Sequence, residues 1–128
     1  METREKTLLV LDDEKQFLSV IERYFKAGGW KVDCTSEREE AEALILNQRY
    51  EVVLTDLFLN SANEADGLTL LRFVKHQFPQ TVVVLLTAHL TGAVRHAAHE
   101  LGAEAILSKP QPLSTIAFVI DDLRKNKA

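Results

Sequence analysis

Each of four short apolar segments of the sequence ends in, or is followed by, a side chain that is capable of chemistry. These residues are Asp12 with Asp13, then Asp56, Thr87 and Lys109. Three carboxylates that meet in one place repel each other, so they must share protons or bind a cation, and ligands that are all oxygen are typical of Mg²⁺. One carboxylate is then left to act as a nucleophile. Because a hydroxyl and an ammonium group would neutralise a transferring phosphoryl group, the set favours phosphoryl-transfer chemistry.

The elements that must position these residues alternate along the chain. We expect buried strands at 7–11, 52–57, 81–87 and 105–108, and a half-exposed edge strand at 31–35. Apolar residues at helical spacing follow each strand, and Ser36 with Glu39 predicts a capping box at the start of the second helix. The alternation predicts an α/β fold, namely (βα)5: a doubly wound, parallel, five-stranded sheet of flavodoxin-like type with strand order 2-1-3-4-5.

This strand order makes the first and third strands neighbours. Ligands of such sheets bind beyond the carboxyl ends of the strands, where the strand order reverses, so the three carboxylates converge on one pocket. Taken singly, each residue has an ordinary structural explanation. An Asp pair after a strand caps a helix, Thr87 satisfies backbone groups at a strand end, and Lys109 is a loop residue before Pro110. A single pocket explains all of them together.

The composition narrows the functional classes. The chain has 128 residues, 46% hydrophobic and 27% charged, with a formal net charge of −4, which is typical of one globular domain. No cluster of Lys and Arg indicates nucleic-acid binding, and no apolar run is long enough for a signal peptide or a membrane span. Cys34 is the only cysteine and cannot form a disulfide within the chain. We therefore expect a cytoplasmic domain without direct binding to nucleic acid or membranes.

Six segments occur in an order and at a spacing typical of one family. They are 9–14, 52–56, 66–67, 84–88, 102–103 and 107–110. On these segments the sequence resembles the receiver domain of two-component response regulators, and the resemblance implies a single receiver domain over 1–128. It also implies a cis peptide bond between Lys109 and Pro110, where proline makes that conformation accessible.

The resemblance implies a role for each candidate residue. Asp56 would accept a phosphoryl group from a sensor histidine kinase, a phosphotransfer protein or a small donor. Lys109 and Thr87 would contact the phosphoryl oxygens, and Thr87 would move toward them on activation. The implied Mg²⁺ ligands are Asp13, Asp56, the main-chain carbonyl of Phe58 and, through water, Asp12. Such a protein is not an enzyme with a separate substrate, since it only accepts a phosphoryl group and loses it by hydrolysis.

Three features depart from the usual receiver pattern. The loop at 57–65 is about two residues longer than usual and lacks the common proline. Phe58 and His89 lie two residues after Asp56 and Thr87, at positions that flank the approach of the hydrolytic water in receivers. A bulky Phe58 predicts slow loss of the phosphoryl group. Ile106 occupies a position where receivers often have a switching aromatic residue, so we expect a switch that depends on Thr87 and the fourth helix.

Partners follow from the same resemblance, and other functions stay open. The phosphorylated surface around the fourth helix, fifth strand and fifth helix would bind an effector protein or an output domain that this sequence lacks. We expect a monomer or a weak dimer. A degenerate receiver that acts as an interaction module is the main alternative. A second alternative is a phosphatase that forms an aspartyl phosphate, but such enzymes have the pattern D-x-D, whereas Asp12 and Asp13 are adjacent. A third is a flavodoxin-like protein that binds a flavin, but two aspartates after the first strand would repel the flavin phosphate.

Overall fold

In the computed structural model, which describes residues 5–57 and 65–127 and only the backbone of residues 65 and 66, five strands alternate with five helices. The strands are β1 (Thr7–Leu11), β2 (Lys31–Thr35), β3 (Val52–Thr55), β4 (Val82–Thr87) and β5 (Ala105–Ser108). The helices are α1 (Lys15–Ala27), α2 (Arg38–Asn47), α3 (Ala65–Gln77), α4 (Gly92–Glu100) and α5 (Leu113–Lys125).

The strands form one parallel sheet in the order β2-β1-β3-β4-β5. Leu11 at the end of β1 aligns with Thr35 on one side and with Thr55 on the other. Thr87 at the end of β4 aligns with Ser108 at the end of β5. β1, β2 and β3 therefore end level, and β4 and β5 extend two residues further, since Thr55 aligns with Leu85. The predicted fold class and strand order are confirmed.

Two hydrophobic layers hold the helices against the sheet. Successive residues of β1 belong to different layers because side chains of a strand alternate between its faces. Leu9 and Leu11 pack with α2, α3 and α4 on one face, whereas Leu8 and Val10 pack with α1 and α5 on the other. Among the described helices, none has both the length and the hydrophobicity that crossing a membrane requires.

Local expectations fail at three places. β3 ends at Thr55 rather than at residue 57, and β5, predicted to be buried, is a partly exposed edge strand. The predicted capping box is wrong: Glu37 is the N-cap of α2 and makes no side-chain capping bond. Thr35 takes the place of the predicted cap: its hydroxyl oxygen accepts the Glu37 amide at 3.1 Å, and its hydroxyl donates to Glu40.

Candidate functional site

Two carboxylates and one ammonium group meet at the carboxyl ends of β1, β3 and β5. The Nζ of Lys109 donates to Oδ2 of Asp12 at 2.7 Å and to Oδ2 of Asp56 at 3.0 Å. Asp12 is 2% exposed and Asp56 is 8% exposed. The structure therefore brings three of the predicted site residues into direct contact from three separate strands.

The backbone of the sheet sets this geometry. The Asp12 amide donates to the Thr35 carbonyl at 3.1 Å, and the Asp56 amide donates to the Leu11 carbonyl at 3.0 Å. The Lys109 amide donates to the Thr87 carbonyl at 2.9 Å. Parallel pairing thus continues one residue past each assigned strand, which fixes where the three side chains begin. The Lys109-Pro110 peptide bond is cis, as the resemblance implies.

Burial and ion pairing act in opposite directions on the titration of this site. Desolvation raises the pKa of Asp12 above its usual range, although the hydrogen bonds from Lys109 and from the Glu14 amide oppose the rise. Burial alone would lower the pKa of Lys109, but its hydrogen bonds to Asp12 and Asp56 dominate and leave that pKa raised. The site therefore keeps a protonated lysine beside two carboxylates, one of which is costly to ionise.

Thr87 is the last residue of β4, and His89 follows it two residues later. Thr87 is fully buried, and its hydroxyl oxygen accepts the His89 amide at 3.3 Å. This hydrogen bond agrees with the structural explanation for Thr87, in which its side chain satisfies a backbone group at the end of the strand. The carbonyl of Thr87 also accepts the Lys109 amide and so positions Lys109. His89 is exposed. Contact of Thr87 with a phosphoryl group stays a prediction.

The other predicted residues are less closely joined to the site. Asp13 is exposed next to Asp12, and Phe58 lies outside the described residues. Ile106 aligns with Leu85 in the sheet and packs against the hydrophobic layer of α2, α3 and α4. Within residues 5–57 and 65–127, no three His, Cys, Asp or Glu side chains are grouped so as to hold a metal ion. The four-ligand set for Mg²⁺ therefore stays a prediction.

Comparison with known proteins identifies the family. The sequence model of the response regulator receiver domain matches residues 8–121. The chain belongs to the response regulator receiver family. Receiver domains typically bind a divalent metal, and the carboxylate oxygens of Asp12 and Asp56 are donors that suit such a hard cation.

Similar proteins include a longer regulator and single receiver domains. The chain is 30% identical to the sensory/regulatory protein RpfC of Xanthomonas campestris over 121 residues, which cover 94% of this chain but 17% of that protein. A CheY-like receiver domain protein from Methanospirillum hungatei superposes with a TM-score of 0.90 at 19% identity, with 97% of each chain covered. This likeness confirms the CheY-type receiver fold.

A third similar protein was solved with bound groups. It is a response regulator protein from Burkholderia pseudomallei with a phosphorylated aspartic acid, a calcium ion and citrate. It matches with a TM-score of 0.80 and 25% identity over 97% of this chain and 74% of that chain.

Two residues to which the sequence analysis assigned no role support the receiver site. The Gly67 amide donates to the Leu57 carbonyl at 3.2 Å, and a Cβ at Gly67 would lie 2.6 Å from the Asp56 carbonyl oxygen. The other is Phe17, whose ring centroid lies 4.9 Å from Nζ of Lys109. Gly67 belongs to the segment 66–67, which is one of the six segments that resemble the receiver family. Phe17, in contrast, is recognisable in the sequence only as one of the apolar residues at helical spacing in α1.

Proposed function

We propose that this receiver accepts a phosphoryl group on Asp56 and uses Mg²⁺ to do so. The observation that carries the proposal is the ammonium group of Lys109, which lies within hydrogen-bond distance of both Asp12 and Asp56. One ammonium leaves this pair of carboxylates with an excess of negative charge. A site of this composition attracts a cation, and with the cation bound it can hold a phosphoryl group.

Asp56 is the better nucleophile of the two buried carboxylates. Both oxygens of Asp12 accept hydrogen bonds, one from the Glu14 amide at 2.9 Å and one from Lys109. The side chain of Asp12 is also only 2% exposed, against 10% for Asp56. A donor therefore reaches Asp56 more readily, while Asp12 is held in place beside it.

In the proposed reaction, a carboxylate oxygen of Asp56 forms a bond to phosphorus. The bond from phosphorus to a histidine nitrogen of the kinase, or to the acyl oxygen of a small donor, breaks, and the leaving group takes its electron pair. Lys109 stabilises the charge on the phosphoryl oxygens, and we assign the same task to the hydroxyl of Thr87. Asp12, Asp13, Asp56 and the carbonyl of Phe58 would hold Mg²⁺, which would supply further positive charge.

We assign the lifetime of the phosphoryl group to Phe58 and His89. A bulky Phe58 beside the acyl phosphate would shield it from water, so Phe58→Asn is expected to shorten the half-life of the phosphorylated protein several-fold. Decay of the phosphorylated form, followed by intact mass, checks this. A half-life in Phe58→Asn equal to or longer than that of the wild type would contradict the assignment.

The proposed output is a change of surface around α4, β5 and α5. Thr87 connects this surface to the site because it ends β4 and its carbonyl binds Lys109, which follows β5. Ile106 lies on β5 and takes the place of a switching aromatic side chain. The partners we propose are a sensor histidine kinase or phosphotransfer protein and a downstream effector or output domain. This chain spans only 17% of the length of its relative RpfC. The partners are therefore proposed for the receiver domain alone.

The test is the intact mass of the protein after incubation with acetyl phosphate, with and without Mg²⁺. We expect the wild type to gain one phosphoryl group only with Mg²⁺, and Asp56→Asn to gain none. Asp122→Asn, an exposed carboxylate on α5, is the matched control and should behave as the wild type. A folded wild type that gains nothing, from acetyl phosphate or from a phosphorylated histidine kinase, would contradict the proposal and favour a degenerate receiver.

A further inference from the structure

The ammonium group of Lys109 has contacts on more than one side. Two of its N–H bonds are directed at Asp12 and Asp56, and a lysine ammonium has three. On another side lies the ring of Phe17, with 4.9 Å between Nζ and the ring centroid. That distance is within the range, about 6 Å, in which the face of an aromatic ring attracts a cation.

Phe17 is placed there by the fold of the β1–α1 segment. It lies in the first turn of α1, shortly after Asp12, and packs at the edge of the hydrophobic layer of α1 and α5. Phe17 and Lys109 line the same cavity of about 370 Å³, together with Glu14, Leu86 and Pro110. The ring therefore lies beside the Lys109 ammonium at the wall of a cavity that is large enough to admit water.

This cavity offers Lys109 an alternative position. Lysine has a long, flexible side chain with a strongly hydrated ammonium group, and the cavity is large enough for water and is lined by Glu14. Gln111 also lines the cavity with a polar side chain, whereas Leu86 and Pro110 have none. The Phe17 ring attracts the ammonium in its position at the site, since 4.9 Å separate the ring centroid from Nζ there.

We propose that Phe17 is a positioning residue for Lys109, holding its ammonium group between Asp12 and Asp56 by a cation–π contact. The inference rests on the proposed phosphoacceptor function, in which Lys109 must be in place when charge develops on the phosphoryl oxygens. Phe17 does not touch the reacting atoms and acts only through Lys109. An aliphatic side chain at position 17 of this chain would leave the lysine more mobile and the reaction slower.

The test compares Phe17→Leu, which removes the ring, with Phe17→Tyr, which keeps it. At saturating acetyl phosphate and Mg²⁺, we expect phosphorylation of Phe17→Leu to be slower by about fivefold and that of Phe17→Tyr to stay within about twofold of the wild type. Tyr24→Leu is the matched control, because Tyr24 lies on the same helix and is 41% exposed.

A second measurement needs no phosphorylation. The ring current of Phe17 should shift the NMR signals of the Lys109 Hε protons upfield in the wild type and in Phe17→Tyr, and the shift should disappear in Phe17→Leu. If the wild type gains no phosphoryl group, the proposed function fails, while this measurement still decides whether the ring lies over the Lys109 side chain. A wild-type rate in Phe17→Leu, or equal slowing in both variants without a change in the Lys109 signals, would overturn the inference.

Discussion

The two ends of β5 have ion clusters of opposite composition. After its carboxyl end, one ammonium group, that of Lys109, binds two carboxylates, those of Asp12 and Asp56. Before its amino end, one carboxylate, that of Glu104, binds two ammonium groups: Lys75 at 2.7 Å and Lys127 at 3.0 Å. Ammonium and carboxylate groups form both clusters, but the cluster at the carboxyl end of β5 has an excess of negative charge and the one at its amino end has an excess of positive charge.

The clusters also differ in how completely their hydrogen bonds are used. The second oxygen of Glu104 accepts the Val83 amide at 2.8 Å, and Lys75 also donates to the Thr81 carbonyl at 2.7 Å. This amino-end cluster connects α3, β4, β5 and the segment after α5, and its role is structural. At the carboxyl end, the negative excess suits a site that takes up a cation and a phosphoryl group. The two clusters therefore differ in stoichiometry and net charge, although each contains a partly buried lysine–carboxylate pair.

The largest effect should come from removing the lysine at each end. Lys109→Gln leaves Asp12 and Asp56 without their shared cation, and we expect phosphorylation to be slower by about 100-fold. Lys75→Gln should leave the rate within about twofold, because the site is remote, but should lower the free energy of unfolding by about 2 kcal/mol. Phosphorylation rates and urea unfolding of both variants check this. A fully folded Lys75→Gln variant that is phosphorylated slowly would contradict the structural role of the amino-end cluster.

A methyl group at the glycine near each cluster should have the next largest effect. A Cβ at Gly67 would lie 2.4 Å from Cα of Leu57 and 2.6 Å from the Asp56 carbonyl oxygen, so Gly67→Ala should lower the free energy of unfolding by about 3 kcal/mol and slow phosphorylation. Gly102 has a φ of +98° and room for a methyl group 3.5 Å from Lys75. Gly102→Ala should therefore cost only about 1 kcal/mol and leave the rate unchanged; equal losses of stability would contradict the steric argument.

Neutralising a carboxylate at each end should have small effects of opposite sign. Desolvation raises the pKa of Asp12, so between its unfolded and folded pKa values the folded protein binds more protons, and stability falls as pH rises. Asp12→Asn should thus be more stable than the wild type at pH 7, by on the order of 1 kcal/mol, and the gain should vanish on acidification below the unfolded pKa. Glu104→Gln should be destabilised. Chemical unfolding at several pH values checks the signs, and a destabilised Asp12→Asn would contradict the role assigned to desolvation.

The sequence was sufficient to predict the sheet and the residues that end its strands. Buried parallel strands read as continuous apolar segments, so a polar residue such as Asp56 at the end of one stands out, and the strand order then brings it next to Asp12. Lys109 joins them because β5 ends level with β4.

What the sequence could not predict depends on contacts between distant residues. Glu104 and Lys75 read as ordinary surface charges, since nothing local indicates that they meet. The cation–π contact of Phe17 also joins residues far apart in the chain. The capping box predicted at Ser36 is wrong because α2 has its N-cap at Glu37, whose amide donates to the hydroxyl oxygen of Thr35 instead.

The most direct test of the account is to locate the phosphoryl group. Borohydride reduces an aspartyl phosphate to homoserine, so the protein is phosphorylated with acetyl phosphate and Mg²⁺, reduced, digested and mapped by mass spectrometry. The account predicts homoserine at position 56 and unchanged aspartate at positions 12 and 13. Homoserine at Asp12 or Asp13, or a phosphoryl group on any other residue, would contradict the claim that the carboxyl-end cluster exists to phosphorylate Asp56.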